Sequence, residues 1–192
     1  MHHSPVSDGP AKNHLYLNRS DKYATLLSPL SSAFARSTSL QWADLGCGEG
    51  VFSEVLAAIL PARSHITGVD KMPQLLPAVM GDNVSVSFQE ADFVHDALML
   101  PPLDGILMAN ALHFVQEKPA LIRKLEHHFA GTKRWIIVEY DHRTPNPWVP
   151  YPLPFRDLKQ LFLHSGYQKI TKTGEQRSVY GGTMYAALIT NT

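Results

Sequence analysis

The 192-residue chain has little of several features, and each scarcity excludes a class of protein. It holds one cysteine, Cys47, so no intrachain disulfide can form and a reducing compartment is expected. Lysine plus arginine number 17, as do aspartate plus glutamate, so the basic excess typical of nucleic-acid-binding proteins is missing. No apolar run approaches the roughly 18 residues of a membrane span, and the first residues show no signal peptide. We therefore expect a soluble, cytoplasmic protein that binds neither membranes nor nucleic acids.

The sequence does have a regular alternation of short apolar runs with helical patterns, which is typical of βαβ units around a parallel sheet. Strands are predicted at 40–45, 65–70, 84–92, 103–110 and 134–140. Helices are predicted at 21–34, 51–60, 73–80, 118–130 and 155–166. The last two runs, 167–173 and 182–189, have no helix between them and predict an antiparallel hairpin at the sheet edge.

Two further segments lie outside this alternation of strands and helices. Residues 1–38 are assigned to an N-terminal arm and helix, and residues 39–192 to the main domain. The segment 141–154 contains five prolines, which block helix and ladder formation, so we expect a rigid loop near the carboxyl ends of the strands.

The stretch WADLGCGEG, residues 42–50, places three glycines directly after the first predicted strand. In open α/β sheets, ligands bind beyond the carboxyl ends of the strands, and glycines allow close approach of the backbone. The dinucleotide fingerprint G-x-G-x-x-G would need glycine where Val51 stands, and the phosphate-loop lysine is also missing. A tight turn without a ligand is the alternative to a binding loop.

The pattern that is present, D-x-G-x-G-x-G, comprises Asp44, Gly46, Gly48 and Gly50. In this form the chain resembles the class I S-adenosylmethionine-dependent methyltransferases over residues 40 to 190. The resemblance implies a Rossmann-like three-layer αβα sandwich. Its seven-stranded, mostly parallel sheet would have the order 3-2-1-4-5-7-6, with the last strand antiparallel. It also implies S-adenosylmethionine as cofactor, S-adenosylhomocysteine as product and a small-molecule acceptor methylated on oxygen or nitrogen.

Acidic and polar residues follow the successive predicted strands, and the resemblance gives each a role toward the cofactor. Asp44 would accept from the ammonium of the methionine part, and the glycine-loop amides would meet its carboxylate. Asp70 would hold the ribose, Asp92 the adenine amine, and Asn110 would lie near the methionine part. The predicted cofactor-binding residues are Asp44, Gly46, Cys47, Gly48, Gly50, Asp70, Lys71, Met72, Asp92, Phe93 and Asn110. The alternative for any single acid is a helix cap or a surface position.

The acceptor side is predicted from the segments after the fourth and fifth strands. His113 is the candidate general base, and its alternative role is packing against the pocket without proton transfer. The predicted acceptor pocket comprises Tyr16, His113, Tyr140, Trp148 and Tyr151. The N-terminal arm is a candidate lid through Tyr16, Arg19 and Tyr23. A protein partner or a homo-oligomer stays open.

Other functions compete with this interpretation. A metal-dependent site would need carboxylates after both the fourth and fifth strands, and Asn110 replaces the first, so we predict no metal. NPW, residues 146–148, lies after the fifth strand rather than the fourth, which argues against nucleobase amino methylation. A non-catalytic cofactor-binding subunit or sensor is the second hypothesis. A nicotinamide-dependent oxidoreductase is the third, disfavoured by Val51 and the final hairpin.

Overall fold

A computed structural model describes residues 20–35, 39–178 and 182–192, and its centre is one eight-stranded sheet. The strands run in the order β3-β4-β2-β1-β5-β6-β8-β7. They comprise β1 Gln41–Leu45, β2 His65–Asp70, β3 Val79–Met80, β4 Val84–Glu90, β5 Gly105–Ala109, β6 Arg134–Tyr140, β7 Lys169–Arg177 and β8 Thr183–Thr190. When β3 is set aside, this order is the predicted 3-2-1-4-5-7-6. β1, β2, β4, β5 and β6 are parallel, and β8 is antiparallel to both β6 and β7.

The additional strand, β3, lies where a helix was predicted over 73–80, and that prediction was wrong. Residues 73–78 form no helix, and Val79–Met80 pairs antiparallel with β4 instead. Two prolines, Pro73 and Pro77, interrupt the segment, and proline inside a helix removes a hydrogen bond. The tight turn after β3 is made by Gly81 and Asn83, which both have positive φ.

The helices agree with the predicted positions but are shorter. They are α1 over 20–27, α2 Ser31–Phe34, α3 Val51–Ala57, α4 Lys118–Leu125 and α5 Phe155–His164. Short 3₁₀ segments cover Ser28–Leu30, Leu112–Phe114 and Glu126–His128. Helix α4 is shorter than the predicted helix 118–130 because its final turn, Glu126–His128, has the 3₁₀ form that is common at helix ends. No helix in the described part of the chain is long and apolar enough to cross a membrane.

Side chains alternate across the sheet and build one hydrophobic cluster on each face, which gives the expected three layers. In β1, Ala43 and Leu45 face the cluster covered by α4 and α5, whereas Trp42 faces the cluster covered by α1, α2 and α3. Trp135 and Tyr185 are the largest buried side chains of the first cluster. The Rossmann-like αβα sandwich is therefore confirmed.

The N-terminal helical segment belongs to this core. Leu26 and Leu27 are fully buried in the cluster that also contains α3. Tyr23, a candidate lid residue, has its ring centroid 4.9 Å from that of Phe52 on α3. Residues 1–19 lie outside the described part of the chain, so the lid and the domain boundary at residue 38 stay predictions.

Candidate active site

A cavity of about 660 Å³ opens at the carboxyl ends of β1, β2, β4 and β5. It is lined by Gly46, Asp70, Lys71, Ala91, Asp92, Phe93, Val94, His95, Asn110, Ala111, Phe114, Val115, Gln116, Glu117 and Tyr151. Six of the predicted cofactor-binding positions are among them, contributed by the loops after four different strands. This is where ligands are expected in an open α/β sheet.

The glycine loop begins by turning sharply over the end of β2. The N–H groups of Gly46 and Cys47 both donate to the carbonyl oxygen of Val69, at 2.8 and 3.1 Å. Gly46 has a φ of +76°, and a Cβ added to it would lie 2.7 Å from the Cβ of Ala111. Glycine is therefore required here both for the left-handed backbone and for close contact with the segment after β5.

Other loop residues lie away from the cavity. Cys47 is buried, and burial raises the pKa of its thiol well above the usual range, so it is not suited to act as a nucleophile. Gly50 faces Leu76 and Met80, because a Cβ added to it would lie 2.8 Å from Leu76 Cδ2. Met72 is largely exposed and does not line the cavity.

Asp70 ends β2 and ties the loop together. Its Oδ2 accepts from the N–H of Gly48 at 3.0 Å, and its Oδ1 accepts from the N–H of Met72 at 2.9 Å. Each carboxylate oxygen has a second lone pair, so the group can still accept from a ligand hydroxyl. The ribose role of Asp70 stays a prediction.

Asp44 lies beneath the loop rather than on the cavity wall. Its side chain is almost completely buried, and Oδ2 accepts from the hydroxyl of Ser53 at 2.6 Å. Burial raises the pKa of this carboxyl to about 7, although the Ser53 hydrogen bond opposes the shift, and the charge of Asp70 adds to it. Within the described residues, Oδ1 of Asp44 is buried without a hydrogen-bond donor.

Asn110 contains the second buried oxygen that lacks a donor within the described part of the chain. The residue follows β5 with a φ of +54°, and its N–H donates to the carbonyl of Val138 at 2.9 Å. Two unpaired acceptors, one on Asn110 and one on Asp44, are suited to a cationic donor, because unpaired buried acceptors are costly. An ammonium supplies three N–H donors, so these residues fit the methionine end of the cofactor that the sequence motif implies.

The turn after β4 is held by its own carboxylates. Asp92 Oδ1 accepts from the N–H of Val94 at 2.8 Å, and Oδ2 lies 3.0 Å from Nδ1 of His95. The hydrogen bond from His95 is the main cause of a lowered Asp92 pKa. The carboxylate is therefore held ionised on the cavity wall, and it is partly exposed. That state can accept from an amine.

His113, the candidate base, is enclosed rather than open to the cavity. Its Nδ1 lies 2.6 Å from Oε2 of Glu139, and its backbone N–H donates to Oε1 at 3.1 Å. The relative exposure of the His113 side chain is 3%, and that of Glu139 is 0%. This buried pair fixes the 3₁₀ turn that carries Phe114, and it places His113 behind the cavity wall.

The proline-rich loop reaches the cavity through Tyr151. The Tyr151 N–H donates to the carbonyl of His113 at 3.0 Å, and its hydroxyl donates to Oε1 of Gln116 at 3.1 Å. Lys118, which is buried, donates to the carbonyls of Val115 and Tyr151 at 2.7 and 3.1 Å. Burial lowers the pKa of Lys118, and the charge of Glu139 opposes that shift.

The other predicted acceptor residues take different places. Trp148 is 81% exposed and is not part of the wall. Tyr140 is partly buried, with its ring centroid 6.0 Å from that of His113. Tyr16 lies outside the described residues. Asp141 accepts from the N–H of Phe155 and from Lys172, so it holds the start of α5.

Sequence reasoning missed part of the wall, namely Ala91, Val94, His95, Ala111 and the run from Phe114 to Glu117. These residues have no shared chemistry or period. Only their position, within a few residues of a strand's carboxyl end, could have indicated them. Among residues 20–35, 39–178 and 182–192, no group of three His, Cys, Asp or Glu side chains is arranged to hold a metal ion.

Comparison with known proteins finds a family match for the part of the chain that builds most of this cavity. Residues 43–130 match the family described as "Methyltransferase domain". The chain is also similar to malonyl-[acyl-carrier protein] O-methyltransferase of Bacillus anthracis, with 30% identity over 119 residues, which is 60% of this chain and 43% of that protein. The homologous enzyme of Bacillus cereus is 29% identical over 133 residues and is covered to 48%. The chain thus spans about half the length of these curated relatives.

Solved structures share the fold at low sequence identity. Magnesium protoporphyrin IX methyltransferase from Synechocystis PCC 6803, with bound SAH, superposes with a TM-score of 0.62 at 13% identity, over 98% of this chain and 90% of that one. A cyclopropane-fatty-acyl-phospholipid synthase-like protein from Lactobacillus casei gives a TM-score of 0.65 at 12% identity, over 95% and 94%. Residues 43–130 therefore match a methyltransferase domain, and the chain shares its fold with a solved methyltransferase that holds SAH.

Proposed function

We propose that the protein is an S-adenosylmethionine-dependent methyltransferase that transfers a methyl group to an oxygen or nitrogen of a small-molecule acceptor. The observation that carries this proposal is that Gly46, Asp70, Asp92 and Asn110 all line one cavity. These four residues come from loops after four different strands, and their placement matches the order of ammonium, ribose and adenine contacts that the motif implies.

The residues of the chain divide the work of holding the cofactor. The unpaired oxygens of Asn110 and Asp44 would accept from the ammonium. Asp70 would accept from the ribose hydroxyls, and ionised Asp92 from the adenine amine. The bound cofactor supplies a methyl group on a positively charged sulfur, which is already activated for displacement. The protein then mainly aligns the acceptor with that methyl, an effect worth up to about 7–11 kcal/mol.

The far end of the cavity is the proposed acceptor pocket. Phe114, Val115 and Tyr151 offer apolar and aromatic surface there, and Gln116 and Glu117 add polar groups. Oxygen is the preferred acceptor atom, because the curated relatives are named as O-methyltransferases. A carboxylate oxygen arrives without a proton and needs no base, which agrees with the enclosed position of His113. A hydroxyl or amine acceptor would need His113 to move into the cavity.

A tritiated methyl-transfer screen tests this proposal. Small carboxylates, phenols and amines are incubated with the protein and tritiated S-adenosylmethionine, and Asp92→Ala serves as the disabled control. We expect label in at least one carboxylate or hydroxyl product with the wild type and a large loss with the variant. If label appears equally with both proteins, the cavity is not the site of transfer.

The second candidate is a non-catalytic cofactor-binding subunit, and the enclosed position of His113 favours it. The nitrogen that would take a proton is in a ring with a relative exposure of 3%, and that ring is bound to Glu139. This candidate predicts cofactor binding without transfer to any acceptor. Product formation from any acceptor class in the screen above would eliminate it.

A further inference from the structure

Lys124, on the last turn of α4, directs its ammonium to the wall of the cavity. Its Nζ donates to three backbone carbonyl oxygens, those of Phe93 at 3.2 Å, Val94 at 3.0 Å and Asp96 at 2.6 Å. An ammonium has three N–H donors, so these bonds use all of them. Within the described residues, Lys124 forms no ion pair with a carboxylate.

Among the described residues, no backbone N–H donates to the three carbonyls that Lys124 binds. Residues 91–102 contain no helix and no strand, and the segment is joined to the sheet at its start by the hydrogen bond from the N–H of Ala91 to the carbonyl of Asp70. The Asp92 carboxylate fixes the turn internally through Val94 and His95, but those bonds do not attach the turn to the rest of the domain. Lys124 adds a polar attachment at residues 93–96, beside the packing of Phe93 and Val94 against the core.

The bound segment is the wall that faces the glycine loop. Phe93 and Val94, two of the three residues bound by Lys124, line the cavity beside Asp92. The edge of the Phe93 ring reaches the loop, because a Cβ on Gly46 would lie 3.5 Å from Phe93 Cε1. Helix α4 itself is anchored in the core by Leu121, Ile122 and Leu125. A helix that does not line the cavity therefore holds this wall through Lys124.

We propose that Lys124 is a positioning residue that holds the segment 92–96 at the spacing required by the adenosine part of the bound cofactor. The inference rests on the proposed function, since it takes the residues Asp92 and Phe93 as the adenine side. Lys118, at the start of the same helix, binds the carbonyls of Val115 and Tyr151 on the opposite wall. Helix α4 thus holds both walls of one cavity through two lysines.

Isothermal titration calorimetry with S-adenosylhomocysteine and with adenosine tests the proposal on four proteins. They are the wild type, Lys124→Met, Lys124→Arg and Arg123→Met. Lys124→Met keeps the length of the side chain and removes its donors, whereas Lys124→Arg keeps donors in place. Arg123 is exposed on the same helix, so Arg123→Met controls for the loss of a positive charge from α4. Each titration is run at a temperature where circular dichroism shows all four proteins folded.

We expect Lys124→Met to raise the Kd of both ligands by the same factor, about tenfold, because the segment 92–96 loses the three bonds that hold it. Lys124→Arg should restore most of the affinity, and Arg123→Met should equal the wild type. A role in stability alone would lower the melting temperature of Lys124→Met and leave both Kd values unchanged, which would overturn the inference. Failure of the wild type to bind either ligand would instead overturn the proposed function.

Discussion

The two ends of the cavity are held together by different kinds of contact. At the cofactor end, several bonds are short in sequence: Asp70 binds Met72, and Asp92 binds Val94 and His95, although Asp70 also accepts from Gly48, 22 positions away. At the acceptor end they join distant segments, as in His113 with Glu139 and Lys118 with Tyr151. Short motifs specify part of the cofactor end, whereas these contacts of the acceptor end exist only once the sheet has formed.

The two ends of the cavity also differ in whether their buried polar groups have partners. The acceptor end depends on a fully buried pair, His113 and Glu139, in which each group satisfies the other. The cofactor end instead leaves acceptors of Asp44 and Asn110 unpaired within the described residues. We interpret the acceptor end as built for rigidity and the cofactor end as built to receive a cationic ligand.

The largest expected effect is on stability, from breaking the buried pair at the acceptor end. Glu139→Ala leaves the N–H and Nδ1 of His113 without an acceptor, and removing one partner of a buried pair typically costs about 3–5 kcal/mol. Urea unfolding of the wild type and the variant measures it. Glu139→Gln, which keeps one acceptor oxygen, should lose less. A loss below about 1 kcal/mol for Glu139→Ala would contradict the assignment of this pair as a structural clamp.

The second largest expected effect comes from the close contact between Gly46 and Ala111. Gly46→Ala places a methyl 2.7 Å from the Cβ of Ala111 at a φ of +76°, so the segment after β5 must shift. We expect a loss of about 2–3 kcal/mol in the free energy of unfolding and a weaker binding of S-adenosylhomocysteine. Gly48→Ala is the matched control: its φ is also positive, but its new methyl meets nothing within 4 Å. Equal losses in the two variants would show that strain, not the contact, decides.

Asp70→Ala should act mainly on ligand affinity. It removes the acceptor for the N–H groups of Gly48 and Met72 and the proposed acceptor for the ribose. We expect binding of S-adenosylhomocysteine to weaken by about 1–3 kcal/mol, the range for a hydrogen bond to a charged group. Calorimetry measures this change, with Asp82→Ala, an exposed acid in the turn before β4, as control. Unchanged affinity in Asp70→Ala would remove Asp70 from the ribose site.

The smallest expected effect is on the pH dependence of stability. The Asp44 pKa is raised from 3.8 to about 7 in the folded protein, so the folded state holds a proton that the unfolded state releases. The resulting stabilisation is complete below the unfolded pKa and is lost as the pH rises through the folded pKa. Between pH 6 and pH 8 the wild type should therefore lose about 1 kcal/mol more than Asp44→Asn, which carries no proton to release.

Thermal unfolding at several pH values compares the two proteins, so the contributions of other titrating groups cancel. Parallel pH curves for the wild type and Asp44→Asn would mean that the Asp44 carboxyl does not titrate in this range. A steeper loss in the variant would reverse the sign and contradict the burial argument.

Much of the fold follows from sequence because its signals are local and repeated. The strand order follows from the resemblance that WADLGCGEG carries. The final hairpin follows from two strand-like runs without a helix between them, and the helices follow from their apolar spacing. The prediction of a helix over 73–80 was wrong because Pro73 and Pro77 interrupt the segment. Val79–Met80 pairs with β4 instead.

The site divides in the same way. The places of Gly46, Asp70, Asp92 and Asn110 in the cavity could be predicted because each lies within two residues of a strand's carboxyl end. Trp148 could not be separated from Tyr151 by composition, since both lie in the proline-rich loop and only Tyr151 is tied to His113 and Gln116. The clamp by Lys124 joins residues roughly thirty positions apart, and no local pattern indicates it.

Calorimetric titration of the wild-type protein with S-adenosylhomocysteine, with NADH titrated in parallel, tests the central claim most directly. The account predicts saturable binding of S-adenosylhomocysteine at one site, and no binding of NADH, because the glycine loop carries Val51 where the dinucleotide fingerprint needs glycine. No heat from S-adenosylhomocysteine up to millimolar concentration, or equal binding of NADH, would contradict it.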